Sequence, residues 1–316
     1  MLVFLLKRKR FLFSALFLIV LFTGSIIHTV FNDGEISQVK FHTDKKGNII
    51  DSPPYPPLTE FFFGSERYGY DLGQIVLEGA KWTIGVTFIV VIFRMVISIF
   101  LSSFIYSLNN RMYNGLKTIF EPFSVVPQTI IAYFILYSVL WMPIDGFPQP
   151  FWQRAIFETF ILVIIAIPNL TIHLSSEMRL VKQETFIEAS KILGSSKLYI
   201  FFKHIIPHVY EKWILLFGQQ FIQTLQLLAH LGFMKLFFGG TFVPYGGPIE
   251  EPPHSVSYEW SGLVGGNISY LYNDQWIVLV PIVFFITTAI CVALVNDSFK
   301  DYFQNKNVIQ LKKNVK

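Results

Sequence analysis

"EASKILGSSKLYIFFKHIIP", residues 188–207, decides how this chain is read. It is short and polar, is interrupted by glycine, and lies between two strongly apolar runs. Residues 184–193 read as a short helix. Gly194 is placed to be its C′ residue, because glycine adopts a left-handed conformation without a Cβ penalty. Ser195 or Ser196 then caps a second helix by accepting free amide N–H groups. In that helix Leu198, Phe201, Phe202, Ile205 and Ile206 recur at helical spacing and make one apolar face. Lys197, Lys203 and His204 fall on other sides, and Pro207 is expected to end the helix. Local physics therefore gives two short helices bent at glycine along a membrane surface. Such a unit serves either as a simple interfacial helix or as a docking knob for a soluble partner.

The surroundings make this segment unusual. Of 316 residues, 53% are hydrophobic and only 15% charged. Soluble domains carry about 25% charged residues, so the solvent here is lipid. Runs long enough to cross a bilayer lie at about 11–31, 82–107, 122–142, 156–178, 213–237 and 276–298. The fold class is an all-α polytopic membrane protein with six transmembrane helices. The first run follows Lys7–Arg10 and is too long for a signal-peptide core, with no clean cleavage site after it. An uncleaved anchor is expected.

Lys and Arg placement orients the chain. Lys7 to Arg10, Arg111, Lys117, the cations of 179–212 and those of the tail up to Lys316 fall on one side. The other side is diluted by acids such as Asp33, Glu60, Glu66, Glu250 and Glu251. Both termini and the 179–212 loop are therefore cytoplasmic. The chain divides into a basic N-terminus (1–10), a first span (11–31), an outer segment (32–81), a core (82–303) and a basic tail (304–316). The core includes the cytoplasmic loop 179–212 and an outer loop, 238–275. The two outer segments are either a cap that meets an external partner or surface loops. Cys291, the single cysteine, lies in an apolar run and reads as a buried inert thiol.

Glu188, Ala189, Ser190, Gly194, His204, Ile206 and Pro207 keep the spacing of the EAA loop of ABC importer permeases. "FFKHIIPHV" (201–209) resembles the version found in the oligopeptide/dipeptide/nickel branch. Gly64, Gly69, Asp71, Gly79 and Ala80 in "FGSERYGYDLGQIVLEGAKWTIGVT" (63–87) fall in register with that branch's segment before the second span. "VVPQTIIAY" (125–133), "EWSGLV" (259–264), "DQWIVLVP" (274–281) and "NDSFKDYF" (296–303) extend the likeness over about residues 60–303. The chain departs from the pattern at Ser190, Tyr70, Asn296 and Ser98–Ser102, as a diverged member would.

The resemblance implies a permease subunit carrying peptides or related small solutes through the bacterial plasma membrane. It implies two cytosolic ABC ATPase subunits, a second homologous permease and an extracytoplasmic solute-binding protein as partners. ATPase coupling would then fall on Glu188, Ala189, Gly194, Leu198, Phe201, His204 and Pro207, with Leu198, Phe201 and Ile205 filling a pocket. The chain itself has no Gly-x4-Gly-Lys-[Ser/Thr] loop, so ATP is hydrolysed by the partners and no cofactor is expected here. No metal or nucleic-acid partner is expected either.

Polar residues inside the spans are the remaining candidates. Gln219, Gln223, Gln226 and His230 are spaced to share one helical face. They line a translocation path or make interhelical hydrogen bonds. Arg94 pairs with Glu121 or Glu158, or lines the path and attracts a carboxylate. Pro127 and Pro168 mark kinks, with Asn169 and Thr171 placed to satisfy freed backbone groups. No His-Glu-x-x-His, Gly-x-Ser-x-Gly or paired intramembrane Asp is present, so an enzyme is not expected. A membrane anchor or sensor that binds an ATPase without transporting is the alternative.

Overall fold

A computed structural model describes residues 1–44, 48–246 and 251–314. Glu250, Lys316 and the last two residues of the expected basic tail lie outside the described residues. Helix α1 (Lys9–Asn32) is apolar outward, and its buried residues are Ser14, Ser25 and His28. This inversion suits lipid: apolar side chains face the tails, while small and polar ones bond the neighbouring helix. The Ser25 hydroxyl donates to the Glu78 carbonyl (3.0 Å), and His28 Nδ1 lies 3.1 Å from the Glu78 carboxylate.

Glu78 belongs to α2 (Leu72–Ile105), which starts ten residues before the expected 82. The Asp71 carboxylate caps it by accepting the Gly73 amide at 2.8 Å. Its first turns carry Glu78 and Lys81, whose charges hide the helix from a hydropathy reading. Those charges are paired with each other and with Thr29 of α1.

Helices α3 (Asn110–Phe120) and α4 (Gln128–Leu140) replace the expected span 122–142, in which Pro127 is expected to mark a kink. With Pro122–Val125 continuing α3, the pair is bent by 78°, and Pro127 stands at the N-cap of α4. Helices α5 (Phe151–Ile164) and α6 (Ile167–Lys182) make one crossing, broken at Ile165–Ala166 with Pro168 in the first turn of α6. Then follow α7 (Thr185–Ile192), α8 (Lys197–Ile200), a π turn (Phe201–Ile205) and α9 (Ile206–Phe233). The short α10 (Trp260–Gly266) and the long α11 (Trp276–Asn314) complete the helices that shape the bundle.

Among the described residues, four helices are long and apolar enough to cross a membrane, or five if the bent pair is one span. The expected fifth span falls on α9, which is long enough but carries Gln219, Gln220, Gln223, Gln226 and His230.

Buried residues of α2, α6, α9, α10 and α11 form one core around Trp260. A second joins α2, α4, α5 and α9 through Leu136, Leu162 and Leu228. Trp260 is locked by its indole N–H, which donates to the Val76 carbonyl at 2.7 Å, and by its amide, which donates to Thr83 Oγ1 at 3.0 Å. Close backbone approach seats this short helix. A Cβ at Gly79 would overlap the Tyr258 carbonyl, and one at Gly265 would overlap that of Gly232. Two small antiparallel ribbons lie in the loops between the helices. His42–Thr43 pairs with Ile49–Asp51, and Thr241–Phe242 with His254–Ser255.

Candidate functional site

The loop 184–207 folds as its composition requires at the turn. Gly194 has φ +82°, in the left-handed region. The Gly194 amide donates to the Lys191 carbonyl (3.0 Å) and the Ser195 amide to that of Ser190 (3.1 Å). These two bonds make a Schellman cap. Ser196, not Ser195, caps the next helix, its hydroxyl accepting the Tyr199 amide at 3.2 Å.

Beyond the cap the structure corrects the reading. Pro207 does not end the helix: the rod runs on from Lys197 to Phe233, with Pro207 in the first turn of α9, where the missing N–H costs little. The π turn accommodates this, the Ile206 amide reaching back to the Phe201 carbonyl. It also rearranges the apolar face. Ile200 and Ile205 are five residues apart, and both point into the bundle. Five α-helical steps would have turned one of them away. With Tyr106, Met178, Ile187 and Val209 they form a third apolar cluster that clamps the loop to the bundle. Phe201 belongs largely to this clamp, stacked on Tyr106 at 5.4 Å between ring centroids. Arg179 holds the other wall, donating to the Leu108 carbonyl at 2.9 Å and lying over the Tyr113 ring at 4.2 Å.

The outward surface is therefore not the face first expected. Ile205 is buried, whereas Ile192, Leu193, Leu198, Tyr199 and Phe202, which flank the Gly194 bend in sequence, are exposed. Ile192 and Leu193 went unread because they look like the ordinary end of a helix. Their exposure follows once Ile187 and Ser190 are seen to be the buried side of α7. Glu188 and Ala189 are exposed. His204 is half-buried, 6.0 Å from the ring of Phe186 and 5.7 Å from that of Tyr199, and 3.5 Å from the Ser190 hydroxyl. It ties α7 to the rod.

Gln219, Gln223, Gln226 and His230 all lie exposed along one side of α9, as their spacing requires. Gln219 and Gln223 line a polar pocket of about 210 Å³ together with Gln128, Asn169, His173 and Gln220. The strip continues upward to His230, whose Nδ1 lies 3.2 Å from Thr129 Oγ1. Gln128, His173 and Gln220 were missed because they come from three helices, and only the fold brings them together. Gln220 donates to the Gln223 side-chain oxygen at 2.7 Å.

Arg94 does not line this strip, and it pairs with neither Glu121 nor Glu158. It is wholly buried, its guanidinium donating to the Leu162 carbonyl (2.9 and 2.5 Å) and to Thr224 Oγ1 (2.9 Å). Where α5 breaks before Pro168, the Ala166 amide turns to Val163 at 3.3 Å. Arg94 occupies the Leu162 carbonyl at that break, the task first given to Asn169 and Thr171. The Thr171 hydroxyl has no hydrogen-bond partner among the described residues.

The end of the bundle that bears α10 holds a second buried polar group. Glu259 accepts the Phe238 amide at 3.0 Å and the Ser257 hydroxyl at 2.5 Å, with Ser255 also bonded. Burial pushes its carboxyl up to about 7, against the pull of these donors. Glu158 accepts the Gly239 amide at 2.9 Å, and Arg154 donates to the Gly239 carbonyl at 2.7 Å. Together they fix the turn after Phe237.

Comparison with known proteins agrees with this architecture. The peptide transport system permease protein SapC of Escherichia coli O6:H1 is 20% identical over 240 residues, covering 76% of this chain and 72% of SapC. SapC of Salmonella typhimurium matches with the same identity and coverage. Among solved structures, an inward-facing form of the MetNI methionine ABC transporter matches with a TM-score of 0.53 and 15% identity, covering 71% of this chain and 93% of that one. That likeness fixes the fold. The family model for the binding-protein-dependent transport system inner membrane component matches residues 94–305, and the chain belongs to that family.

Proposed function

We propose that this inner-membrane transport component forms half of the translocation path of an ABC importer for peptides or related small solutes. Cytosolic ATPases drive it through the loop 184–207, a second related permease completes the path, and an external solute-binding protein delivers the solute. The peptide class rests on the likeness to SapC, a peptide transport system permease protein. Six crossings with both termini in the cytoplasm accord with the Lys and Arg pattern.

The observation that carries the reading is the exposed apolar patch Ile192, Leu193, Leu198, Tyr199 and Phe202 on a loop clamped to the bundle. An exposed patch of this kind marks an interaction surface. Its second half is continuous with the helix that bears Gln219 and Gln223, so a push at the loop moves the polar strip. Gln128, Asn169, His173 and the Gln face supply hydrogen-bonding groups for a polar solute. Reconstitution in proteoliposomes with the ATPases, the second permease and the binding protein tests the reading. ATP-dependent peptide uptake is expected, and Glu188→Lys abolishes it while the chain stays in the membrane. Uptake that persists undiminished in that variant refutes the coupling assignment.

A further inference from the structure

The outer face carries a pocket of about 380 Å³ between residues 66–70, the first turn of α2 and the loop ending in α10. Its floor is apolar, made by Leu72, Ile75 and Leu263. Its rim is polar and aromatic, with Glu66, Tyr70 and Tyr258 converging on it. A concave apolar cavity with a few convergent polar groups is the usual form of a small-ligand site.

The charges distinguish the two ends a ligand could present. Arg67, the cation of the rim, is already engaged. Its guanidinium lies 3.6 Å from the Glu251 carboxylate and 4.4 Å from the centre of the Tyr68 ring. Tyr68 closes the same knot, its hydroxyl donating to Glu251 at 2.6 Å. Glu66 is in the opposite condition. Its Oε1 accepts the Tyr68 amide at 2.7 Å and the Tyr70 amide at 3.5 Å, and no ion pair of Glu66 within 4 Å occurs among the described residues. Burial raises its pKa, against the pull of the neighbouring amides and of Arg67, whose ion pair is made with Glu251. A cation arriving at Glu66 would relieve that cost, and phenolic rings beside it favour a cation further.

We propose that this pocket binds the free α-ammonium group of a peptide's first residue, with Glu66 as its counter-ion, Tyr70 and Tyr258 flanking it, and the apolar side chain resting on Leu72, Ile75 and Leu263. The inference deepens the importer reading by giving the outer mouth an amine-selective entry site, and it rests on that reading for its choice of peptides. A C-terminal carboxylate would have to compete with Glu251 for Arg67.

The test is calorimetric titration of alanyl-phenylalanine into the purified full chain in lipid nanodiscs. Three probes are compared: the free dipeptide, its N-acetyl form and its C-terminal amide. The free dipeptide and the amide bind alike, and N-acetylation weakens binding at least about tenfold. Glu66→Gln, which keeps the oxygen that accepts the Tyr68 amide, weakens the free dipeptide by a similar factor. Tyr258→Phe gives a smaller loss and serves if Glu66→Gln does not fold. Absence of binding, equal binding of the N-acetyl form, or unchanged affinity in the Glu66 variant overturns the proposal. Uptake by the reconstituted importer is measured in parallel. Uptake without amine-dependent binding removes the pocket and leaves the permease reading, whereas amine-dependent binding without uptake of any peptide does the reverse.

Discussion

Truncating Leu193 or Leu198 to alanine weakens ATPase docking without loosening the loop. Leu193 is 85% exposed and Leu198 71%, so neither holds the loop to the bundle. Each truncation removes three carbons, worth about 0.8 kcal/mol apiece on burial. Scaled by those exposures, full cover by a partner makes each substitution cost about 2 kcal/mol, or roughly 30-fold in affinity. Ile205→Ala provides the contrast. Ile205 is fully buried in the clamp, and its truncation costs about 2–5 kcal/mol of local stability through a cavity. The assay is titration of the purified ATPase onto the permease in nanodiscs, with thermal unfolding of each variant alongside. Leu193→Ala and Leu198→Ala should bind weakly and melt like the parent, whereas Ile205→Ala should melt early. If both leucine variants bind the ATPase as the parent does, the exposed patch is not the docking surface.

Three further outcomes follow from the same geometry. Gly194→Val costs about 1–2 kcal/mol, because φ is +82° and a β-branched residue resists it, while Gly194→Asn stays near the parent in thermal unfolding. The effect is conformational alone, since a Cβ at Gly194 meets nothing within 4 Å. Arg94→Leu leaves the Leu162 carbonyl and the Thr224 hydroxyl without the guanidinium, costing roughly 1–3 kcal/mol, and Arg94→Lys restores only part of this, as a denaturation series would show. Glu259 has a carboxyl raised from 4.5 to about 7, so the native state holds its proton longer than the unfolded one. Stability therefore falls as pH rises between those values, by about 3 kcal/mol, and is flat above about 7. Glu259→Gln should abolish that slope in melts run from pH 5 to pH 8.

The parts of this protein that were legible in sequence were those governed by local rules. The Gly194 turn follows from the φ preference of one residue, and the Gln219–His230 face from helical periodicity alone. What was hidden depended on partners distant in the chain. Glu78 and Lys81 looked like the end of a loop until His28 and Thr29 of α1 stood beside them. Arg94 looked like half of an ion pair, because nothing in the sequence announces a carbonyl freed at a helix break 68 residues away. Ile205 belonged to the apolar stripe by counting in α-helical steps, and the π turn made that count wrong by one.

That extra residue has a mechanical consequence. The rod from Lys197 to Phe233 carries both proposed surfaces, one at Leu198 and Phe202, the other at Gln219 and Gln223. In an unbroken α-helix each added residue turns everything beyond it by about 100°. The wide turn at 201–205 absorbs one such step, so it sets the angular phase between the cytoplasmic handle and the polar wall. Were the same residues to relax into α geometry, the handle would be re-aimed by about that angle while the wall stayed still. On the proposed coupling role the segment is a phasing joint in a transmission shaft, and its length, more than its hydrophobicity, sets the angle.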